Sequence, residues 1–157
     1  MHGDDDPLRP HSHDPNPNPP SADPAFSLRV GEQEWRLTPD ILRRLPRLTI
    51  PDCYIVSTGH GASGPFTFGG IPLLALVDAY AHGQTWEQVE VVSGDGFGTR
   101  LSRAELAEEK PMRCSLLALE IDGRSLTRDD GLVRLIVPSE AGDALRQIKW
   151  IGRITVV

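Results

Sequence analysis

The sequence predicts a mixed α+β domain rich in β structure, and three observations carry that reading. Short runs of β-branched and aromatic residues alternate with polar ones, brief capped helical segments separate them, and no regular strand-helix-strand spacing of a parallel sheet appears. At 157 residues, 39% of them apolar, the chain has one domain's length and enough apolar side chains for a core.

The first 25 residues stand apart. Met1 to Ala25 holds seven Pro, three of the five His and no aromatic or β-branched residue, a composition that cannot offset ordering entropy by burial. It is predicted to be a disordered tail, and residues 26–157 to be the folded domain. Its DDD and HSH clusters offer weak metal donors, but the composition is that of a solvated tail.

The elements of the domain follow in order. Ser27–Val30 and Glu34–Leu37 flank Gly31 as a hairpin. Thr38-Pro39-Asp40 starts a short helix, with Thr as cap and Pro at the first helical position. Leu48 to Ser57 reads as a strand, and Thr58 to Gly70 as a long glycine-rich loop. Ile71-Pro72 opens a helix to about Ala81, whose Leu73, Leu74, Leu76, Val77 and Tyr80 give it a core face. Gln88 to Val92 is a strand that turns at Ser93–Gly96 and returns over Phe97 to Leu101. Ser102 and Glu105 form a capping box at the next helix start. Ser115–Ile121, Leu132–Val137 and Lys149–Val157 complete the strands. Alternation in the last places Trp150, Ile154 and Val156 on the core side, with Lys149 and Arg153 opposite.

Charge and cysteine usage narrow the partners. The net charge is −6, and the tail, with five Asp against one Arg, holds most of it. Without a surplus of Lys and Arg, nucleic acid is excluded as the main partner. No apolar run suggests a membrane segment or a signal peptide, so the expected location is cytoplasmic with reduced thiols. Cys53 and Cys114 lie 61 positions apart without zinc-ligand spacing.

Two clusters carry candidate chemistry. Gly59-His60-Gly61-Ala62-Ser63-Gly64 fits GxGxxG, but no helix start follows to hold a pyrophosphate, and the acidic residue at the right distance, Asp78, lies inside a helix. Ser63 with His60 lacks the nucleophile-elbow pattern and an orienting acid. What remains is a run of backbone N–H groups with Ser57, Thr58, Gly59 and His60, able to form an anion nest. The second cluster is Arg146 with Lys149, a guanidinium and an ammonium able to grip a phosphate.

The blocks Gly69–Leu73, Ser93-Gly-Asp-Gly-Phe97, Leu116–Gly123, Gly131–Pro138 and Arg146–Ile154 occur in an order that resembles the oxidoreductase molybdopterin-binding domain of the sulfite oxidase family. The resemblance covers about residues 26–157. It implies a β-rich sulfite-oxidase-type fold that holds a pterin at one edge, with molybdenum bound by the pterin dithiolene and one cysteine. It also implies that Lys149, Arg146 and His60 stand where family members touch the pterin or its phosphate.

The family's cysteine position falls on Val56 or Ser57, neither of which supplies a thiolate, and its N-R-R cluster is replaced by residues around Thr58, Gly59 and His60. At about 3.3 Å per strand residue, Cys53 would lie roughly 10 Å away. The expectation is therefore a domain that binds molybdopterin, or another phosphorylated small molecule, without a molybdenum ligand. Two alternatives stay open: an active molybdoenzyme that uses Ser57, His60 or a displaced Cys53, and a non-catalytic module that binds a protein, such as a redox partner.

Overall fold

A computed structural model of the chain describes residues 23–57, 61–138 and 146–157. Two β-sheets organise it. The first runs β2(Gln33–Leu37)–β1(Phe26–Val30)–β11(Ile151–Val156)–β5(Gln88–Ser93)–β6(Gly98–Ser102). The second runs β10(Arg146–Ile148)–β9(Arg134–Val137)–β7(Leu116–Ile121)–β4(Gly61–Pro72)–β3(Leu48–Ser57), with the short β8(Arg124–Ser125) beside β7. Neighbours are antiparallel except β1 and β11, which pair in parallel with Leu28 opposite Ile154.

Strand alternation sorts the apolar residues into two clusters. Leu28, Val89, Val91, Ile154 and Val156 of the first sheet meet Ile71, Leu117, Leu119 and Leu135 of the second in the main core. The intervening residues of the second sheet, Phe68, Leu116, Ala118 and Ile136, form a smaller cluster on its other face with Ile50 and Cys53.

The helices start where their caps predict. Thr38 Oγ1 accepts from Ile41 N at 3.4 Å before α1(Pro39–Leu42), and Ser102 Oγ accepts from Glu105 N at 3.0 Å before α3(Arg103–Glu108). α2 covers Leu73–Tyr80, with Leu73, Leu76 and Val77 buried as expected. Ile71 and Pro72 belong to β4 rather than to that helix.

The stretch expected to be a loop is largely a strand. Gly61–Pro72 forms β4, paired to β3 on one side and to β7 on the other. The glycines serve close approach: a Cβ at Gly70 would lie 2.0 Å from the Leu117 carbonyl oxygen, at a register shift between β4 and β7. Of the expected tail, residues 23–25 are described. Asp23 accepts from Ala25 N at 2.9 Å and from Arg36 at 3.0 Å, so residues 23–25 lie on the domain, and the rest of the expected tail falls outside the described residues.

Candidate anion site beside the second sheet

The site is built on a clasp between two segments. Thr127 O accepts from the backbone N–H groups of Gly131 and Leu132, both at 3.1 Å, and folds residues 127–132 into a tight turn. Asp130 stitches it: its Oδ2 accepts from Thr127 N and Thr127 Oγ1, each at 3.0 Å, and from Arg124 at 2.5 Å. Burial pulls its pKa up, but the bonds from Arg124 and Thr127 outweigh that and hold it at about 2. The second segment is the bend at Lys149–Trp150, where Trp150 has φ 50°. Trp150 N donates to Gly131 O at 2.9 Å, Trp150 Nε1 to Arg128 O at 2.6 Å, and Gly94 N to Trp150 O at 2.7 Å.

Gly131 makes the clasp possible. Its φ is 108°, and a Cβ there would lie 2.9 Å from the Cβ of Lys149, so the lysine stem rests on bare backbone.

This bend corrects the expected alternation. A register shift between Ile151 and Arg153 breaks the period, so Ile151, Ile154 and Val156 face the core. Lys149 lies outside β11 and does not share a strand face with Arg153. Its Nζ sits 5.6 Å from the Trp150 ring centroid, and the side chain is half-buried. Burial first, then the Arg134 charge, lowers the ammonium pKa, against Asp130, Asp129 and Asp95.

Arg134, in the strand β9 beside this bend, is the group that the sequence reading missed. It is 4% exposed, with its guanidinium 5.4 Å from the Phe68 ring centroid. Its acceptors are neutral: Nε donates to Gln147 Oε1 at 2.8 Å, Nη2 to the same oxygen, and Nη1 to the Asp130 carbonyl at 3.3 Å. Burial pulls its pKa down to about 10, partly opposed by the Asp130 carboxylate, which is itself bonded to Arg124. Among the described residues no carboxylate bonds Arg134 or Lys149. A buried guanidinium and a half-buried ammonium on neighbouring segments are donors suited to a phosphate or another compact anion.

Of the expected site residues, Lys149 is brought to this clasp. Ser57 ends β3 and Arg146 opens β10 opposite Val137; their side chains, with Thr58, Gly59 and His60, lie outside the described residues. Asp78 is exposed on α2, and β4 begins at Gly61, so no helix follows the GxGxxG run.

The two cysteines are free and lie elsewhere. Cys53 is fully buried in the smaller cluster, between two register shifts of β3, and its thiol rests on the Ile50 and Pro51 carbonyls at 3.6 Å. Burial raises its pKa, with Arg113 opposing. Cys114 packs against the same cluster, and burial, then Glu109, raises its thiol too. Burial thus favours the protonated thiol at both positions. Among the described residues no three His, Cys, Asp or Glu side chains converge as metal donors, and no helix is long and apolar enough to cross a membrane.

Comparison with known proteins identifies the family and the fold. The family described as oxidoreductase molybdopterin binding domain matches residues 16–157. Among solved structures, the chain is similar to the sulfane dehydrogenase SoxCD from Paracoccus pantotrophus, with a TM-score of 0.63 and 22% identity. That match covers 84% of this chain and 37% of the other, so this chain spans well under half of that protein's length. No curated protein sequence matches.

Proposed function

Given that the chain belongs to the oxidoreductase molybdopterin binding domain family, we propose that it binds a molybdopterin or another phosphorylated small molecule at the Arg134–Lys149 clasp, without the cysteine ligand that fixes molybdenum. The observation that carries this reading is Arg134. A buried cation costs stability unless something pairs with it, and its partners here are an amide oxygen and a peptide carbonyl. An anionic ligand supplies the missing negative charge.

The donor set fits the anionic end of a pterin cofactor. Arg134 offers directional N–H donors, Lys149 a mobile point charge, and Gly131 removes the side chain that would crowd the lysine. The donor set does not fit a sulfur-ligated metal. Cys53 faces packed apolar side chains and backbone carbonyls, and its thiol is pushed toward the protonated form. These residues therefore bind and orient the ligand, and no oxo-transfer step follows from them.

The test is to purify the chain from a molybdenum-replete host and assay metal, pterin and phosphate together. The expected result is pterin or phosphate without stoichiometric molybdenum, with Lys149→Ala weakening the ligand by about 1–3 kcal/mol. Stoichiometric molybdenum that disappears in Ser57→Ala or Cys53→Ala would refute the reading in favour of an active molybdoenzyme. A tightly co-purifying protein with neither pterin nor phosphate would refute it in favour of a protein-binding module, with a redox protein the first partner to look for.

A further inference from the structure

The turn between β5 and β6 brings an unused carboxylate to the clasp. Ser93 Oγ donates to Asp95 Oδ1 and accepts from Phe97 N at 3.0 Å, which fixes the Asp95 side chain in the turn. The other oxygen, Asp95 Oδ2, is buried and has no hydrogen-bond partner among the described residues. An unpaired buried carboxylate oxygen is costly, so its surroundings call for a donor. The backbone bond from Gly94 N to Trp150 O docks this turn directly on the Lys149–Trp150 bend. Lys149 is the cation on that bend, its ammonium held over the Trp150 ring with no hydrogen bond among the described residues.

We propose that Asp95 is a positioning residue for Lys149, its unpaired oxygen serving as the resting counter-ion that the ammonium takes when no anion occupies the clasp. The lysine then has two stations. One is over Trp150, and the other is against Asp95, where it satisfies the orphaned oxygen. Binding of an anion draws the lysine to the first station, so Asp95 sets how much of the ammonium's attraction the ligand receives. This consequence rests on the anion-binding reading; the pairing of Asp95 with Lys149 in the free protein does not. The other charged groups around the ammonium are Arg134, Asp129 and Asp130, and of these carboxylates Asp130 is already bonded to Arg124 while Asp129 belongs to an exposed residue.

The chain has only two lysines, Lys110 and Lys149, so a preparation labelled with 15N-lysine gives two side-chain signals, which Lys149→Arg assigns. Asp95→Asn keeps an oxygen for Ser93 and so preserves the turn, and Asp129→Asn removes an exposed carboxylate as the control for simple charge. In the full chain without added anion, the Lys149 ammonium protons are expected to exchange slowly with water, to exchange faster in Asp95→Asn, and to remain slow in Asp129→Asn. Equal exchange in the wild type and Asp95→Asn would overturn the pairing. In a titration with inorganic phosphate, Asp95→Asn is expected to bind about three- to tenfold more tightly, the scale of one net hydrogen bond released from competition. Tightening by the same factor in Asp129→Asn, or none in Asp95→Asn, would overturn the competition. Absence of phosphate binding in every variant would overturn the anion reading and the competition with it, and the exchange comparison would still decide the pairing.

Discussion

Replacing Arg134 with methionine separates a residue kept for binding from one kept for the fold. Methionine retains much of the apolar stem while removing the charged guanidinium that lies over Phe68. The change loses three hydrogen bonds, two to Gln147 Oε1 and one to Asp130 O, and leaves those acceptors to find other donors. At about 1 kcal/mol or somewhat more for each, that is a loss of roughly 2–4 kcal/mol. Against it stands the desolvation of a guanidinium 4% exposed with no bonded carboxylate among the described residues, a penalty of several kcal/mol that the variant no longer carries. The two nearly cancel, so Arg134→Met is expected to stay within about 2 kcal/mol of wild type in urea unfolding at neutral pH. Leu135→Ala, the next residue on the same strand and fully buried on the opposite face, should cost about 2–5 kcal/mol. Phosphate at about 100 times its dissociation constant should stabilise the wild type by about 2.7 kcal/mol and leave Arg134→Met unmoved. A loss above about 4 kcal/mol in Arg134→Met, with equal phosphate stabilisation of both proteins, would show that the guanidinium is structural.

Further outcomes follow from the same geometry. Asp130→Asn should lower stability by about 1–2 kcal/mol at neutral pH. Because the folded pKa is held below the ordinary 3.8, that contribution is present above about 4 and lost as pH falls toward about 2, so urea midpoints of wild type and variant should converge in acid. Gly70→Ala, whose new methyl group would meet the Leu117 carbonyl, should cost more than about 4 kcal/mol or prevent folding, read by thermal unfolding. An aromatic disulfide reagent at mildly alkaline pH should modify Cys114, which is only partly buried, well before Cys53, which should react only on unfolding. Equal rates would show that the smaller cluster opens readily.

Local chemistry made several elements legible. The hairpin turn at Gly31, the Thr38 and Ser102 caps and the apolar face of α2 are decided within a few residues, and each appears where the sequence places it. Residues 61–70 misread because glycine is ambiguous. The same residue that loosens a loop also allows a backbone to approach a neighbouring strand, and here the second meaning holds because β3 and β7 flank the segment. Lys149 stands out in the sequence for its charge, but its direction depends on the left-handed Trp150 and the register shift beyond it, which alternation cannot foresee. Arg134 did leave a signal: one charged residue inside the apolar run Leu132–Val137 is out of place in a buried strand. Alternation alone would have turned it away from the core; only the fold shows that Phe68 and Gln147 enclose it on that other face.

The parallel contact of β1 with β11 ties the earliest strand of the domain to the latest. β11 lies between β1 and β5, so neither the opening hairpin nor the β5–β6 pair joins a continuous sheet until residues 151–156 arrive. Until that strand is made, the two pieces keep unpaired edges, and closure of this sheet has to follow its synthesis. The clasp inherits the same timing, since Lys149 and Trp150 immediately precede that strand: a nascent domain lacking this stretch would have neither a finished first sheet nor the segment that closes on Gly131.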